Sequence, residues 1–162
     1  MAATASGANA SQRLQKELME LMMSGTEGIS AFPDNDNLFC WIATVQGADG
    51  TVYEGLEYQL KMQFPATYPF DAPVVTFITP CFHPNVDTHG GICLDTLKEN
   101  WSAINTATTV LLSIQSLLDN PNTASPLNSH AASLWKDQVE YKKAVLMMYE
   151  SSKTKGSSVT AA

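Results

Sequence analysis

The sequence predicts an α+β fold: an N-terminal helix, a four-stranded antiparallel meander sheet, an irregular loop, then a crossover helix and two C-terminal helices. Three patterns predict it. A helical apolar stripe opens the chain, strictly alternating and β-branched runs occupy its middle, and helical periodicity returns only after about 25 residues without any. In the first element, Leu14, Leu18, Leu21 and Met22 fall at i, i+4, i+7 and i+8, with Arg13, Lys16, Glu17 and Glu20 on the remaining faces. Gly25 ends this helix, expected over 11–24. Residues 38–47 are rich in aromatic and β-branched types, and the Gly47-Ala48-Asp49-Gly50 cluster marks a turn joining two strands.

The clearest strand lies at 56–64. There Leu56, Tyr58, Leu60, Met62 and Phe64 alternate with Glu57, Gln59, Lys61 and Gln63, giving one buried and one solvated face. Residues 65–73 contain three prolines, which forbid a helix and hold the link extended before the hydrophobic run at 74–78. After the irregular stretch 80–105, Val110, Leu111, Ile114, Leu117 and Leu118 form a second helical stripe, stopped by Asp119-Asn120-Pro121-Asn122. A short helix is expected from Asn128 to Trp135. A last one starts at Asp137, which has capping-box spacing to Glu140, and runs through Tyr141, Ala144, Val145 and Met148.

At 162 residues the chain has one domain's length. Residues 1–10 and 151–162, composed of small and polar types, are expected to be flexible ends around a core at 11–150. Nine Lys and Arg against sixteen Asp and Glu give a net charge of −7, the opposite of a nucleic-acid-binding footprint, and no apolar run approaches a membrane span. Partners are therefore expected to be proteins or small molecules. Three cysteines, Cys40, Cys81 and Cys93, are too few and odd in number for a disulfide framework, which points to a reducing compartment, cytoplasm or nucleus, without a signal sequence. A monomer is the default expectation.

A long irregular segment in a compact domain is usually functional. This one holds Cys81, His83, Asn85, Asp87, His89 and Cys93 within thirteen residues. Two Cys and two His are donors that zinc accepts, but their spacing departs from paired ligands of the C-x₂₋₄-C kind and Pro84 stiffens the chain after His83; no metal is expected. A second reading makes Cys93 a nucleophile: Gly90 and Gly91 permit close backbone approach beside it, and Asn85 offers an amide N–H to a developing oxyanion. A third leaves Cys93 as a buried structural thiol, since no His and acid pair accompanies it in sequence.

The string His83-Pro84-Asn85, then Gly91-Ile92-Cys93-Leu94-Asp95, then Trp101, resembles the active-site signature of the ubiquitin-conjugating enzymes. The likeness covers the whole core. It includes the first helix with Arg13 and Lys16, the Phe39-Cys40-Trp41 strand, the Tyr-Pro-Phe link at 68–70, and the Pro121-Asn122 and Ser125-Pro126-Leu127 segments. Residues 21–25, 28–33 and 36–39 are most similar to the subtype that serves the anaphase-promoting complex.

The resemblance implies that Cys93 accepts ubiquitin as a thioester from the activating enzyme and releases it to a lysine amine of a protein substrate. Asn85 would hold the loop and stabilise the oxyanion, and His83 would be structural. Many relatives carry an acidic residue where this chain has Ser125, so Asp87, the ligase or the substrate would supply that charge at the lysine-approach gate. Arg13, Lys16, Pro69, Phe70, Ser102 and Ala103 would meet the activating enzyme and a RING-type ligase in turn, with Ala103 standing where many relatives have proline. Leu112 and Ser116 match positions that clasp donor ubiquitin, Leu112 having a core reading as well. The sheet surface around Ser30 corresponds to the backside that binds a second ubiquitin in several relatives. No cofactor is implied, because ATP and Mg²⁺ belong to the activating enzyme. Two alternatives stand beside this one: a conjugating enzyme for another ubiquitin-like modifier, and a catalytically silent binding variant, against which the retained Cys93 and Asn85 speak.

Overall fold

A computed structural model describes the backbone of residues 2–159 and the side chains of residues 8–153. Residue 1 and residues 160–162, part of the expected flexible ends, lie outside the described residues. The order is α1 (Ala2–Ser24), β1 (Ile29–Asp34), β2 (Asn37–Gln46), β3 (Glu57–Gln63), β4 (Val74–Phe77), a 3₁₀ turn (Asp95–Leu97), α2 (Ala107–Asp119), α3 (Ser129–Leu134) and α4 (Gln138–Val159). The strands form one antiparallel sheet in sequence order. No helix among the described residues is long and apolar enough to cross a membrane.

Helix α1 starts upstream of the first apolar contact that spacing identifies. Alanines at 2, 3, 5, 8 and 10, the strongest helix formers, carry it there, and Ala10 is fully buried. Its buried face also differs from the expected one: Met22 is 58% exposed, whereas Glu17 is 3% exposed. The geometry explains the exchange, because residue 17 lies three positions after Leu14 and four before Leu21, at the centre of the stripe that those two leucines define.

Strand β1 pairs with β2 through a turn in which Asn35 and Asp36 both adopt positive φ, the primed conformation that matches the twist of the flanking strands. Strand β3 follows its alternation throughout: Leu56, Tyr58, Leu60, Met62 and Phe64 are all buried. The Gly47–Gly50 cluster opens a connection running from Gln46 to Glu57 rather than a two-residue hairpin. Gly47 is needed where this connection folds back, since a Cβ there would lie 1.8 Å from the Tyr53 carbonyl oxygen. Tyr53 in turn is buried and donates to the Phe82 carbonyl at 2.7 Å.

Helix α2 is capped reciprocally by Thr106 and Thr109. It packs Val110, Leu111, Ile114 and Leu118 under the sheet and is tied to β2 by Gln115, whose amide donates to the Gln46 carbonyl at 2.9 Å. Asn128 caps α3, and Asp137 accepts from the Glu140 N–H at the start of α4. Tyr141 and Val145 of α4 are buried.

His83 clamps the irregular segment to α2. Its Nδ1 accepts the Asn85 N–H at 2.9 Å, so the ring proton sits on Nε2, which lies 2.7 Å from the Leu117 carbonyl oxygen and donates to it. Burial lowers its pKa from 6.5 to about 4, against the opposing pull of that carbonyl.

Two outcomes follow for stability. Leu111→Ala is expected to cost about 3 kcal/mol and Phe70→Ala, at a position 78% exposed, less than about 0.5 kcal/mol, both read from urea denaturation midpoints. The unfolded chain protonates His83 below pH 6.5 and the folded chain only near pH 4, so acidification through that window removes up to about 3 kcal/mol of stability. His83→Gln should therefore be less stable at pH 7 yet show a shallower loss between pH 7 and pH 4; parallel curves for the two proteins would exclude His83 as the source.

Candidate active site

The segment after β4 folds into a small hairpin of its own. Val86 and Ile92 form an antiparallel bridge, the Asp87 N–H donates to the Gly91 carbonyl at 2.9 Å, and the Cys93 N–H donates to the Asn85 carbonyl at 2.9 Å. Asp87 closes the tip: its Oδ1 accepts from the N–H groups of Gly91 and His89, both at 2.8 Å. Those two donors hold its carboxyl below the ordinary carboxylate range.

The hairpin docks along the edge of the sheet. Thr76 bridges Gly91, and the Phe77 N–H donates to the Gly90 carbonyl at 2.8 Å. This contact is what the glycines serve: Gly90 has φ +86°, and a Cβ there would lie 2.2 Å from the Phe77 carbonyl oxygen. The close approach expected from the Gly-Gly pair is thus to β4 at Gly90, and to the Asp87 carboxylate at Gly91, where a Cβ would lie 2.4 Å from Oδ2.

Cys93 is half-buried with a free thiol, between buried Ile92 and the 3₁₀ turn at Asp95–Leu97. The other two thiols have different surroundings. Cys81 is fully enclosed and burial raises its pKa well above the usual thiol range, while Cys40 sits half-buried on β2 with its sulfur 4.0 Å from Asp34.

Asn85 is almost completely buried, and its side-chain amide pairs with one residue. Oδ1 accepts the Asn122 N–H and Nδ2 donates to the Asn122 carbonyl, each at 2.8 Å, leaving one amide hydrogen uncommitted. The Pro84 carbonyl accepts from Leu127 at 2.8 Å and Asn128 at 3.1 Å. Residues 122–128, with Ser125 exposed on them, therefore hang from Pro84 and from Asn85, the residue whose carbonyl fixes the Cys93 backbone. Nothing in the sequence marks Asn122 for this part, because an asparagine beside Pro121 has the local pattern of a helix stop.

Cys81 and His83, two of the four donors that zinc would need, are unsuited to it: the thiol is enclosed, and both imidazole nitrogens are hydrogen-bonded within the fold. Among the described residues no three His, Cys, Asp or Glu side chains are grouped to hold a metal ion.

The surface residues singled out in sequence lie in three places. Arg13 donates from Nη2 to the carbonyls of Ala103 at 2.9 Å and Asn105 at 3.1 Å, so its guanidinium is largely engaged within the fold, whereas Lys16 is exposed. Trp101 donates from Nε1 to the Pro69 carbonyl at 2.8 Å, which joins the proline-rich link to residues 101–105. Phe70 and Ser102 are exposed there, and Pro69 and Ala103 half-buried. Ile104, 87% exposed beside Ala103, belongs to the same rim; an isolated apolar residue without periodicity gave no signal in the sequence. On α2, Leu112 is 39% exposed and Ser116 is exposed one turn later, so Leu112 lies outside the core. Ser30 is exposed on the outer face of β1, with Thr44 of β2 beside it in register.

The family model described as ubiquitin-conjugating enzyme matches residues 13–149. The chain is 53% identical over 146 residues to ubiquitin-conjugating enzyme E2-20 kDa of Schizosaccharomyces pombe, covering 89% of this chain and 83% of that protein. Because the family match runs unbroken from α1 through the Cys93 hairpin to α4, the chain belongs to the ubiquitin-conjugating enzymes, transferases that hold their cargo as a cysteine thioester.

Proposed function

We propose that Cys93 is the thioester-forming nucleophile and that Asn85 organises the site around it. The observation that carries this reading is the continuous chain of hydrogen bonds from the Cys93 N–H to the Asn85 carbonyl and from the Asn85 amide to the Asn122 backbone. In the loading step the Cys93 thiolate attacks the carbonyl carbon of ubiquitin's thioester on the activating enzyme. A carbon–sulfur bond forms to Cys93 and the activating enzyme's thiolate leaves. In the discharge step a neutral lysine amine attacks the new thioester, the carbonyl oxygen takes up negative charge, the nitrogen loses a proton, and Cys93 leaves as thiolate. The uncommitted Nδ2 hydrogen of Asn85 is the donor for that oxyanion.

A thiolate leaves readily, so the barrier lies in presenting a neutral amine at the carbonyl. Ser125 stands at that approach as a residue with no negative charge, and the Asp87 carboxylate holds the hairpin tip through Oδ1. On this reading the ligase and the substrate contribute most to amine deprotonation. Arg13, Lys16, Pro69, Phe70, Ser102 and Ala103 form the docking face for the activating enzyme and a RING-type ligase, and Leu112 with Ser116 forms the contact for donor ubiquitin. The likeness of residues 21–25, 28–33 and 36–39 to one subtype supports service with the anaphase-promoting complex in cell-cycle protein degradation. The three free thiols support work in the cytoplasm and nucleus.

The test is a charging reaction with ubiquitin, activating enzyme and Mg-ATP, resolved on reducing and non-reducing gels. The native chain should gain one ubiquitin that thiol reductant removes; Cys93→Ala should gain none, and Cys93→Ser a reductant-stable ester. A reductant-sensitive adduct on Cys93→Ala would move the nucleophile to another cysteine. Ser125→Asp should raise discharge of the loaded enzyme to free lysine, without ligase, by about threefold or more, and an unchanged rate would remove Ser125 from the gate.

A further inference from the structure

The most enclosed carboxylate of the protein lies away from the reacting atoms. Glu17 of α1 is 3% exposed, and a carboxylate at that depth is costly unless charge and hydrogen bonds compensate it. Its compensation comes from three separate parts of the chain. Oε2 pairs with Arg13 Nε at 2.8 Å within α1. The Tyr68 hydroxyl, from the proline-rich link, lies 2.9 and 2.8 Å from the two oxygens. Oε1 also accepts the Ala107 N–H at 2.6 Å, satisfying a donor of the first α2 turn that the helix itself leaves without a partner.

Three further bonds extend this cluster to the surface. Arg13, held by Glu17, donates to the Ala103 and Asn105 carbonyls, and Trp101 donates to the Pro69 carbonyl. The exposed side chains of Phe70, Ser102 and Ile104 project from the two loops that these contacts fix. An apolar side chain would fill the space under α1 at lower cost, but only a carboxylate accepts from the link, the α2 terminus and Arg13 together.

We propose that Glu17 is a positioning residue for docking: its buried carboxylate sets residues 68–70 and 101–105 in one register, so that they present a single face to the activating enzyme and ligase. The inference rests on the docking role proposed above for Phe70, Ser102 and Ala103. Without the carboxylate charge, Arg13 and Tyr68 lose their common partner and the two loops sample separate placements, which weakens encounter with a partner while leaving the Cys93 hairpin intact.

The experiment compares Glu17→Gln, Tyr68→Phe and Phe70→Ala in charging by the activating enzyme, with varied concentration of this protein, and in ligase-free discharge of each loaded thioester to free lysine. Glu17→Gln should raise the apparent KM for charging about tenfold, and keep the maximal charging rate and the ligase-free discharge within about twofold of native. Tyr68→Phe, which keeps the ring and removes one donor, should shift KM in the same direction by about threefold and carries the test if Glu17→Gln does not fold. A native KM in the folded Glu17→Gln protein, or in Tyr68→Phe if that protein stands alone, overturns the proposal when Phe70→Ala raises KM. Equal losses in charging and discharge also overturn it, because they mark general destabilisation. A native KM in Phe70→Ala overturns the docking reading itself, and the inference with it.

Discussion

Everything at the reactive end of the molecule depends on the pairing of one buried amide with one backbone unit. The Asn85 side chain takes up both backbone polar groups of Asn122, and withdrawal of Asn122 would leave the Asn85 amide unpaired in the interior. That pairing fixes the distance between two loops far apart in sequence. Since the carbonyl of the same Asn85 receives the Cys93 N–H, one residue holds the Cys93 backbone and the loop at 122–128 together, and in the proposed mechanism it also donates to the oxyanion. The neutral imidazole of His83 supports this from below, anchoring the residues just before Asn85 to the end of α2.

The chain separates its two tasks along α2. The first turn of this helix meets Glu17, which also holds Arg13 and Tyr68, its last turn accepts a hydrogen bond from His83, and the apolar stripe between them is locked under the sheet. A packed helix transmits little bending over three turns, so docking and chemistry share a rigid support without sharing side chains. The proposed order of events suits such a division: activating enzyme and ligase would use the docking face in turn, and the thioester would persist between those visits.

Legibility in the sequence tracked how local the governing physics was. Strand β3 was plain because period-two alternation decides burial residue by residue, and α2, α3 and α4 were plain because stripes and caps lie within a few positions of one another. Strand β1 gave little signal: only Ile29 and Ala31 of its six residues are buried, and Pro33 interrupts it. The exchange of Met22 for Glu17 on the buried face of α1 was hidden for another reason, since hydrophobicity cannot register a carboxylate whose partners lie about 50 and 90 residues away. At the site, Cys93 and Asn85 stood out through a motif. Asn122 did not, because its importance comes from where its backbone is carried and hardly at all from its side chain.

The hairpin that carries Cys93 also covers one border of the sheet. Strand β4 is only four residues long and forms the border of the meander, and the N–H of Phe77, which would otherwise face outward, is taken by Gly90. An open border of this kind is a template on which another chain can add a strand and begin to aggregate. A larger residue at position 90 would push the hairpin off the Phe77 carbonyl and bare that border, so insolubility would accompany inactivity. Selection for a working thiol is, in this architecture, also selection against self-association.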